Sequence, residues 1–310
     1  MHIGIIGAGM AGLSCAARLR VTGHSVKLFD KARGPGGRMS TRRFHTEYGD
    51  AAFDHGAQYF TARDPRFREQ LNDWVSRGLA VPWPEAAADA WVGVPGMNAL
   101  VRDLMNGSEV EFGWTVTGVE RNQAGWWVSR AGARSGPFQA MILAVPAEQA
   151  IALLSLHDFG MAREAFASPS LPCWTAMFAF AEPLLTDRHI IRGAGPAAWV
   201  ARNRCKPGRT GPDTWVVQAD ATWSAKAIEA EPGAIVSTLG SALSAAIDVP
   251  LPPTLVAAAH RWRFARSAAL GKGPLWNSRI GLGACGDWLL GPRVECAWLS
   301  GHELANCIID

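Results

Sequence analysis

Three glycines near the start of the chain have the spacing of a phosphate-binding turn. Gly7, Gly9 and Gly12 form the pattern G-x-G-x-x-G between an apolar segment and a segment of helical character. In such a turn the first glycine permits a tight bend, the second lets the backbone approach a pyrophosphate, and the third lets helix and strand pack closely. The following helix directs free N–H groups and its positive dipole end towards the phosphates. The pattern predicts a dinucleotide-binding turn.

An acidic residue ends the next predicted strand. The segment SVKLFD closes at Asp30, where a carboxylate can accept hydrogen bonds from both ribose hydroxyls of an adenosine. The glycine pattern alone is a weak signal, but strand, turn, helix, strand and terminal acid occur here in order. The alternative, a glycine turn without a ligand, is disfavoured by that order.

A basic, glycine-rich segment, KARGPGGRMSTRR, comes directly after this strand. Gly36 and Gly37 permit a close approach of the backbone, and Arg38 can neutralise a diphosphate from the side opposite the helix. The alternative is a solvated basic loop. The position of this segment after the glycine turn favours phosphate binding over a solvated loop.

The segment FDHGAQYF offers a surface for a flat ring. Gly56 is followed by a small residue, an amide and an aromatic residue, Ala57, Gln58 and Tyr59, which suit a segment that lies along such a ring. In the alternative, Gly56 is a plain turn and Tyr59 belongs to the core.

Two further candidate segments lie in the last fifth of the chain. In HRWRFA, His260, Arg263 and Phe264 are candidates for substrate contact, with Tyr59 and Trp288 as walls, because an imidazole or guanidinium can hold a carboxamide or a phosphate. The alternative places the aromatic residues of this strand in the core and its charged residues in solvent.

We find no Ser-His-Asp, Cys-His or paired-carboxylate constellation in the sequence.

The second of these segments is ACGDWLLGPRVECAWLSG. It places Asp287 after an apolar strand, near a ribityl or phosphate hydroxyl, and it opens a final helix at Arg293-Val294-Glu295. The N-terminal dipole of that helix would face a ligand.

Apolar periodicity predicts the elements that would position these residues. Residues 1–60 read as a βαβ unit, and residues 65–78 have the spacing of an amphipathic helix. The run FQAMILAV, closed by Pro146, is typical of a buried strand in a parallel sheet. The pattern changes between about 147 and 265, where strands and helices broken at Pro232 are predicted.

Composition excludes several classes of protein. The chain has 310 residues, 48% of them hydrophobic and 18% charged, which is typical of a globular protein. A net charge of +3 without basic runs gives no support for nucleic-acid binding. Six scattered cysteines without CxxC spacing predict free thiols in a reducing cytoplasm and no metal site. No apolar run is long enough to predict a membrane span.

These motifs together resemble the renalase family. IGIIGAGMAGLSCA, KARGPGGRMSTR, FDHGAQYF, WVGVPGMNALV, HRWRFA and GDW–RVECAWLSG carry the resemblance, which reaches both ends of the chain and is weakest over 150–250. The family belongs to the p-hydroxybenzoate-hydroxylase and amine-oxidase class of FAD flavoproteins. Many relatives have glycine where Cys296 stands, so the resemblance does not determine how closely the last helix approaches the cofactor here.

The resemblance implies an α/β fold in which a Rossmann-type FAD-binding domain (1–64, 95–150 and 268–310) is interleaved with an α+β substrate domain (65–94 and 151–267). It implies noncovalent FAD, and catalytic roles for Tyr59, His260 and Arg263. The implied cofactor-binding residues are Gly7, Ala8, Gly9, Met10, Ala11, Gly12, Asp30, Lys31, Gly37, Arg38, Met39, His55, Gly56, Ala57, Gln58, Val116, Ala144, Gly286, Asp287, Arg293 and Val294.

The resemblance also implies a reaction. Such enzymes oxidise dihydro-NAD(P) isomers reduced at C2 or C6: hydride passes to the flavin, and O2 then reoxidises it to give hydrogen peroxide and NAD(P)+. The implied partners are this small molecule and O2, with no nucleic acid or membrane. Two alternatives stay open: a flavin amine oxidase or desaturase, and a dinucleotide-binding protein without turnover.

Overall fold

A computed structural model describes residues 1–309, whose strands form a six-stranded sheet, a five-stranded sheet and three small sheets. The strands, numbered in chain order, are β1 (His2–Ile6), β2 (Ser25–Asp30), β3 (Thr41–Thr46), β4 (Gly49–Asp54), β5 (Ala80–Pro82), β6 (Trp91–Gly93), β7 (Glu109–Phe112), β8 (Gly118–Asn122), β9 (Gly125–Arg130), β10 (Ala133–Phe138), β11 (Ala140–Leu143), β12 (Ser170–Phe180), β13 (Ile190–Ala194), β14 (Ala197–Arg202), β15 (Asp213–Ala219), β16 (Val256–Ser267), β17 (Leu275–Asn277) and β18 (Leu282–Ala284).

Helices connect and cover these sheets. They are α1 (Met10–Val21), α2 (Pro65–Ser76), α3 (Asn98–Met105), α4 (Ala147–Leu154), α5 (Phe159–Phe166), α6 (Ala221–Lys226), α7 (Pro232–Ile247), α8 (Asp287–Leu290) and α9 (Val294–Ile309). Aspartates define where several of them begin: Asp64, Asp158 and Asp220 each accept a hydrogen bond from a backbone N–H in the first turn of α2, α5 and α6. Among residues 1–309 no helix has both the length and the apolar character that a bilayer span requires.

The six-stranded sheet has the order β17-β18-β11-β1-β2-β7, and only the edge strand β17 runs antiparallel. Strand β11 is buried along its whole length because both faces of the sheet are covered. Helices α1 and α9 pack on one face. A side-chain Cβ at Gly301 of α9 would lie only 2.0 Å from the Ala11 carbonyl oxygen of α1, so this contact requires glycine.

The five-stranded sheet is antiparallel, in the order β13-β14-β15-β12-β16. Helix α7 covers one face, and Leu239 and Leu243 pack against Phe178 and Trp215 there. The β3–β4 hairpin covers part of the other face, with Phe53 in contact with the strands. This second face, next to the half of the chain that forms the six-stranded sheet, positions the candidate site.

The predicted fold class is confirmed, since a parallel Rossmann-like sheet is combined with an α+β unit. The predicted helix over 65–78 is present as α2, and the helices predicted to break at Pro232 are α6 and α7. The domain boundaries stay a prediction. Residues of α2, predicted in the substrate domain, share a hydrophobic cluster with α1, predicted in the FAD-binding domain.

Candidate functional site

The predicted cofactor residues converge at the carboxyl ends of four neighbouring parallel strands. Gly7 follows β1, Lys31 follows β2, Ala144 follows β11 and Gly286 comes just after β18. Backbone hydrogen bonds hold these ends together: the Gly7 N–H donates to the carbonyl at the end of β2, and the Ala144 N–H donates to the last residue of β1. Ligands of open α/β sheets bind at this edge.

The three glycines have distinct surroundings. Gly7 has φ +106°, and a Cβ there would lie 2.3 Å from the Ala144 carbonyl oxygen. A Cβ at Gly12 would lie 2.0 Å from the Gly7 carbonyl oxygen. By contrast, a Cβ at Gly9 would meet no atom within 4 Å. Gly7 and Gly12 are therefore required by packing, while Gly9 leaves open space in front of the N-terminus of α1.

Asp30 lies beside this space. One carboxylate oxygen accepts from the Ala8 N–H at 2.7 Å and the other from the Ala32 N–H at 2.8 Å. Each oxygen retains acceptor capacity for a ribose hydroxyl. The Trp114 backbone N–H donates to the Asp30 carbonyl, which places the segment that leads to Val116 next to the acid.

Arg38 and Asp287, 249 residues apart in sequence, form a bidentate ion pair with distances of 2.5 and 2.8 Å. The Ser267 hydroxyl donates to the same carboxylate at 3.2 Å. The sequence placed both residues against a ligand, but Arg38 towards a diphosphate and Asp287 towards hydroxyls. The structure brings the two side chains together in an ion pair, which the sequence did not indicate.

The backbone around Arg38 is packed against the FDHGAQYF segment. The Ala57 N–H donates to the Arg38 carbonyl at 2.8 Å, and a Cβ at Gly56 would lie 2.0 Å from that oxygen. Gly37 has φ +51°, and its Cβ position lies 3.6 Å from the Gly9 Cα. The two predicted segments thus form one continuous surface beside the glycine turn, with Met39 buried behind it.

Gln58 has a different role from the predicted one. Its side chain is buried, the amide Nε2 donates to the Asp54 and Gly56 carbonyls at 2.6 and 3.2 Å, and Oε1 accepts from Lys206 at 3.1 Å. The amide is therefore engaged with the protein through both of its polar atoms. Gln218 of β15 adds a hydrogen bond to the Gly56 carbonyl at 2.7 Å.

Behind this segment lies a buried charge cluster, which we call the Asp54 cluster and define as Asp54, Lys206 and Arg209. Asp54 Oδ2 accepts from Arg209 at 2.5 Å and from Lys206 at 3.4 Å, and Oδ1 accepts from the Thr41 hydroxyl and the Met97 N–H. Both basic residues come from the loop between β14 and β15. The cluster therefore ties the five-stranded sheet to the FDHGAQYF segment.

Burial and charge oppose each other in this cluster. Burial would raise the pKa of the Asp54 carboxyl, but the Lys206 and Arg209 charges hold it well below its usual value. Burial lowers the pKa of Lys206 to about 8, against the attraction of Asp54. The sequence did not indicate the two basic residues, because Lys206 stands 152 residues from Asp54 in a segment without a recognised motif.

The structure brings His55, predicted to bind the cofactor, next to His260, predicted to be catalytic. Their rings lie edge to face with centroids 4.9 Å apart, and Trp262 stacks on His55 and donates its indole N–H to the His55 carbonyl at 2.9 Å. Burial lowers the pKa of both imidazoles to about 4, and the charge of Arg42 acts in the same direction on each. Both rings are neutral at pH 7.

The lowered pKa values predict a pH-dependent stability. In the unfolded chain these histidines bind protons near pH 6.5, and in the folded chain only near pH 4. The stability that the neutral, buried histidines contribute to the folded state is fully present above pH 6.5. It is lost as the pH falls towards 4, because between these pH values the unfolded chain binds more protons than the folded chain. The free energy of unfolding, measured with urea at several pH values between 4 and 7, should change less with pH in His55→Asn than in the wild type. His45→Asn, at an exposed position, is the control. An equal pH dependence of the unfolding free energy in wild type and H55N would contradict the lowered pKa of His55.

Arg263 is not part of this group. The guanidinium is exposed and forms a bidentate ion pair with Glu229 at 2.7 and 2.8 Å, which Arg261 joins. Residues three apart on a strand point to opposite faces, so Arg263 and His260 diverge. The predicted catalytic role of Arg263 is therefore wrong in its placement.

Tyr59 lies in an aromatic group with Trp83 and Trp199. The Tyr59 ring centroid is 6.5 Å from that of Trp83 and 5.8 Å from that of Trp199. Arg192 covers one face of Trp199 at 4.7 Å. No sequence motif indicates this aromatic group, because the three rings come from three separate segments of the chain.

The last helix begins at Val294, as predicted. Glu295 in its first turn is buried and accepts from the backbone N–H groups of Arg63 and Asp64 at 2.5 and 2.6 Å. Arg293 forms an ion pair with the same carboxylate at 2.9 Å. The start of α9 is thus fixed to the segment that leaves FDHGAQYF, and Cys296 is buried beside it.

Comparison with known proteins agrees with this geometry. Residues 5–74 match the family described as NAD(P)-binding Rossmann-like domain. A 4,4'-diapophytoene desaturase (4,4'-diaponeurosporene-forming) of Staphylococcus haemolyticus is 52% identical over 40 residues, which are 13% of this chain and 8% of that protein. The chain therefore matches only a small part of that relative's length.

Solved structures with the same fold extend over the whole chain. A putative protoporphyrinogen oxidase from Exiguobacterium sp. 255-15 has a TM-score of 0.70 at 10% identity, covering 99% of this chain and 98% of its own. Cyclohexylamine oxidase from Brevibacterium oxydans has a TM-score of 0.71 at 11% identity with the same coverage. Putrescine oxidase bound to putrescine has a TM-score of 0.69 at 14% identity, covering 100% and 99%. The chain thus has the mixed α/β fold that these structures share.

Proposed function

We propose that this protein is a flavin-dependent oxidoreductase that binds FAD noncovalently. The observation that carries the proposal is the open space at Gly9, framed by glycines that packing requires, at the carboxyl edge of the parallel sheet. A diphosphate fits this cradle, and the free acceptor positions of Asp30 fit the ribose of an adenosine.

In this proposal, different elements of the chain would contact different parts of FAD. The N-terminus of α1 would bind the diphosphate, and the Arg38–Asp287 pair would present both a cation and a carboxylate to the phosphate and ribityl groups. The backbone of Gly56 and Ala57 would support the ring, and the N-terminus of α9 at Val294 would stabilise negative charge on it. When bound, the flavin supplies hydride acceptance and electron transfer to O2.

For the substrate we propose a dihydro-NAD(P) isomer reduced at C2 or C6, with NAD(P)+ and hydrogen peroxide as products. Loss of a hydride alone turns the dihydropyridine into an aromatic cation, so no general base is required. The protein needs only to orient the ring and exclude water. The neutral pair His55 and His260 suits this task, because neutral imidazoles donate and accept hydrogen bonds without adding charge.

A second candidate is the oxidation of an amine. It is favoured by the group of Tyr59, Trp83 and Trp199, since aromatic faces attract a cationic ammonium. Arg192 already occupies one face of Trp199 and competes with such a substrate. A desaturase and a dinucleotide-binding protein without turnover remain the other candidates.

Anaerobic titration tests the proposed function. We expect the purified protein to be yellow, and its visible flavin absorbance to bleach on addition of 2- or 6-dihydro-NAD(P) and to return on admission of air, with release of peroxide. Ordinary 4-dihydro-NADH is the control and should bleach it far more slowly. Bleaching by a primary amine alone would support the second candidate, and a colourless protein that binds NAD would refute the flavin assignment.

A further inference from the structure

Three polar side chains between the β3–β4 hairpin and β16 have few partners in the protein. We call Arg42, His55 and His260 the Arg42 group. Nδ1 of His55 has no hydrogen-bond partner of ordinary geometry, and the Ser40 hydroxyl lies 3.5 Å from its Nε2. Within residues 1–309, Arg42 forms no ion pair, and its guanidinium only covers the Phe44 ring at 5.1 Å.

Strand geometry places these side chains on facing surfaces. Arg42 and Phe44 lie on one face of the hairpin, because alternate residues of a strand point the same way. Phe44 packs with Ala258 of β16 against the second face of the five-stranded sheet. His260 follows Ala258 by two residues and shares its face. The Arg42 charge acts on both imidazoles, as expected for groups that face one gap.

Charge and burial indicate what this gap accepts. His55 is only 5% exposed, and a buried imidazole nitrogen without a partner is unfavourable unless a ligand supplies one. The carboxylate nearest in sequence, Asp54, is already engaged by Lys206 and Arg209. The gap therefore holds one uncompensated cation and two neutral hydrogen-bonding rings.

We propose that Arg42, His55 and His260 form a subsite for an oxyanion of the substrate, either a phosphate or a carboxylate. This inference rests on the proposed function, in that the flavin-bound protein acts on a small molecule that carries such a group. Arg42 supplies the charge and a fork of donors, and each neutral imidazole supplies one N–H. Trp262 holds His55 in place from the other side.

Isothermal titration of the flavin-loaded protein with inorganic phosphate and, separately, with acetate tests the subsite. We expect one of the two anions to bind to the wild type, and its dissociation constant to rise at least tenfold in Arg42→Met, with partial recovery in Arg42→Lys. Arg43→Met is the matched control, because Arg43 is exposed on the opposite face of the same strand and its loss should leave binding unchanged. Tighter binding of phosphate identifies a phosphate-bearing substrate, and tighter binding of acetate a carboxylate.

Three results would overturn the subsite: equal affinity in wild type and R42M, equal losses in R42M and R43M, and no binding of either anion. Thermal melting of each variant separates these results from unfolding. Histidine ring signals in NMR spectra provide a second measure, since a bound anion should raise the pKa values of His55 and His260 in the wild type and not in R42M. Flavin absorbance of the same samples tests the proposed function separately, because a protein without flavin would still report anion binding.

Discussion

Replacement of Asp54 by asparagine is expected to lower the free energy of unfolding by about 3–5 kcal/mol, because it leaves two buried cations without their counter-charge. Lys206 and Arg209 have almost no solvent-exposed side chain, so water cannot compensate for the lost carboxylate. Urea denaturation monitored by tryptophan fluorescence measures the effect. The FDHGAQYF segment, which Asp54 and Gln58 anchor, should become the first part of the fold to exchange its amide protons.

A matched control is available on the same hairpin. Asp50 is an exposed carboxylate that pairs with His45 at 2.5 Å, and Asp50→Asn should change the stability by less than about 1 kcal/mol. The double variant Asp54→Asn/Lys206→Met should recover part of the loss, since it removes one of the uncompensated charges. A loss of stability in D54N no larger than in D50N would contradict the assignment of Asp54 as the central charge.

Replacement of Gly9 by aspartate is expected to abolish dinucleotide binding without unfolding the protein. Gly9 has φ −85° and open space around its Cβ position, so a side chain fits the fold. The new carboxylate would occupy the cradle in front of α1 and repel a diphosphate. Like charges in contact cost several kcal/mol, which corresponds to a loss of affinity on the order of a hundredfold or more.

Flavin content after purification and reconstitution with added FAD measures this effect, and the melting temperature of the apoprotein shows that the fold is intact. Gly233→Asp is the control, because it adds the same charge at an open position of α7 far from the turn. Retention of FAD by G9D would show that the cofactor is not bound at the glycine turn. A collapse of the apoprotein melting temperature would show that Gly9, like Gly12, is required by packing.

Local patterns were sufficient to predict the Rossmann-like half of the fold. The spacing of Gly7, Gly9 and Gly12 and the buried run at β11 each depend on neighbours in sequence, and these elements are present as predicted. The distinction between the glycines was also predicted, since Gly7 and Gly12 are fixed by close backbone contacts and Gly9 is open. The cofactor itself remains part of the proposed function.

The pairing of charges could not be predicted in the same way. The partners Arg38 and Asp287, like Asp54 and Lys206, are more than a hundred residues apart, and only the packed sheets bring them together. The sequence did contain the information that separates Arg263 from His260, because residues three apart on a strand point to opposite faces. Gln58 was assigned to a ligand from the order of residues in FDHGAQYF and from the family resemblance, but an amide can equally satisfy buried groups of the protein.

The contact between α1 and α9 has a consequence for synthesis on the ribosome. Helix α1 carries the glycine turn, and α9, whose Gly301 lies against Ala11, is made nearly three hundred residues after it. Throughout elongation the apolar side of α1 lacks the helix that covers it. The N-terminal turn therefore reaches its final packing only after translation of α9, and its assembly depends on contacts of high sequence separation, which form slowly.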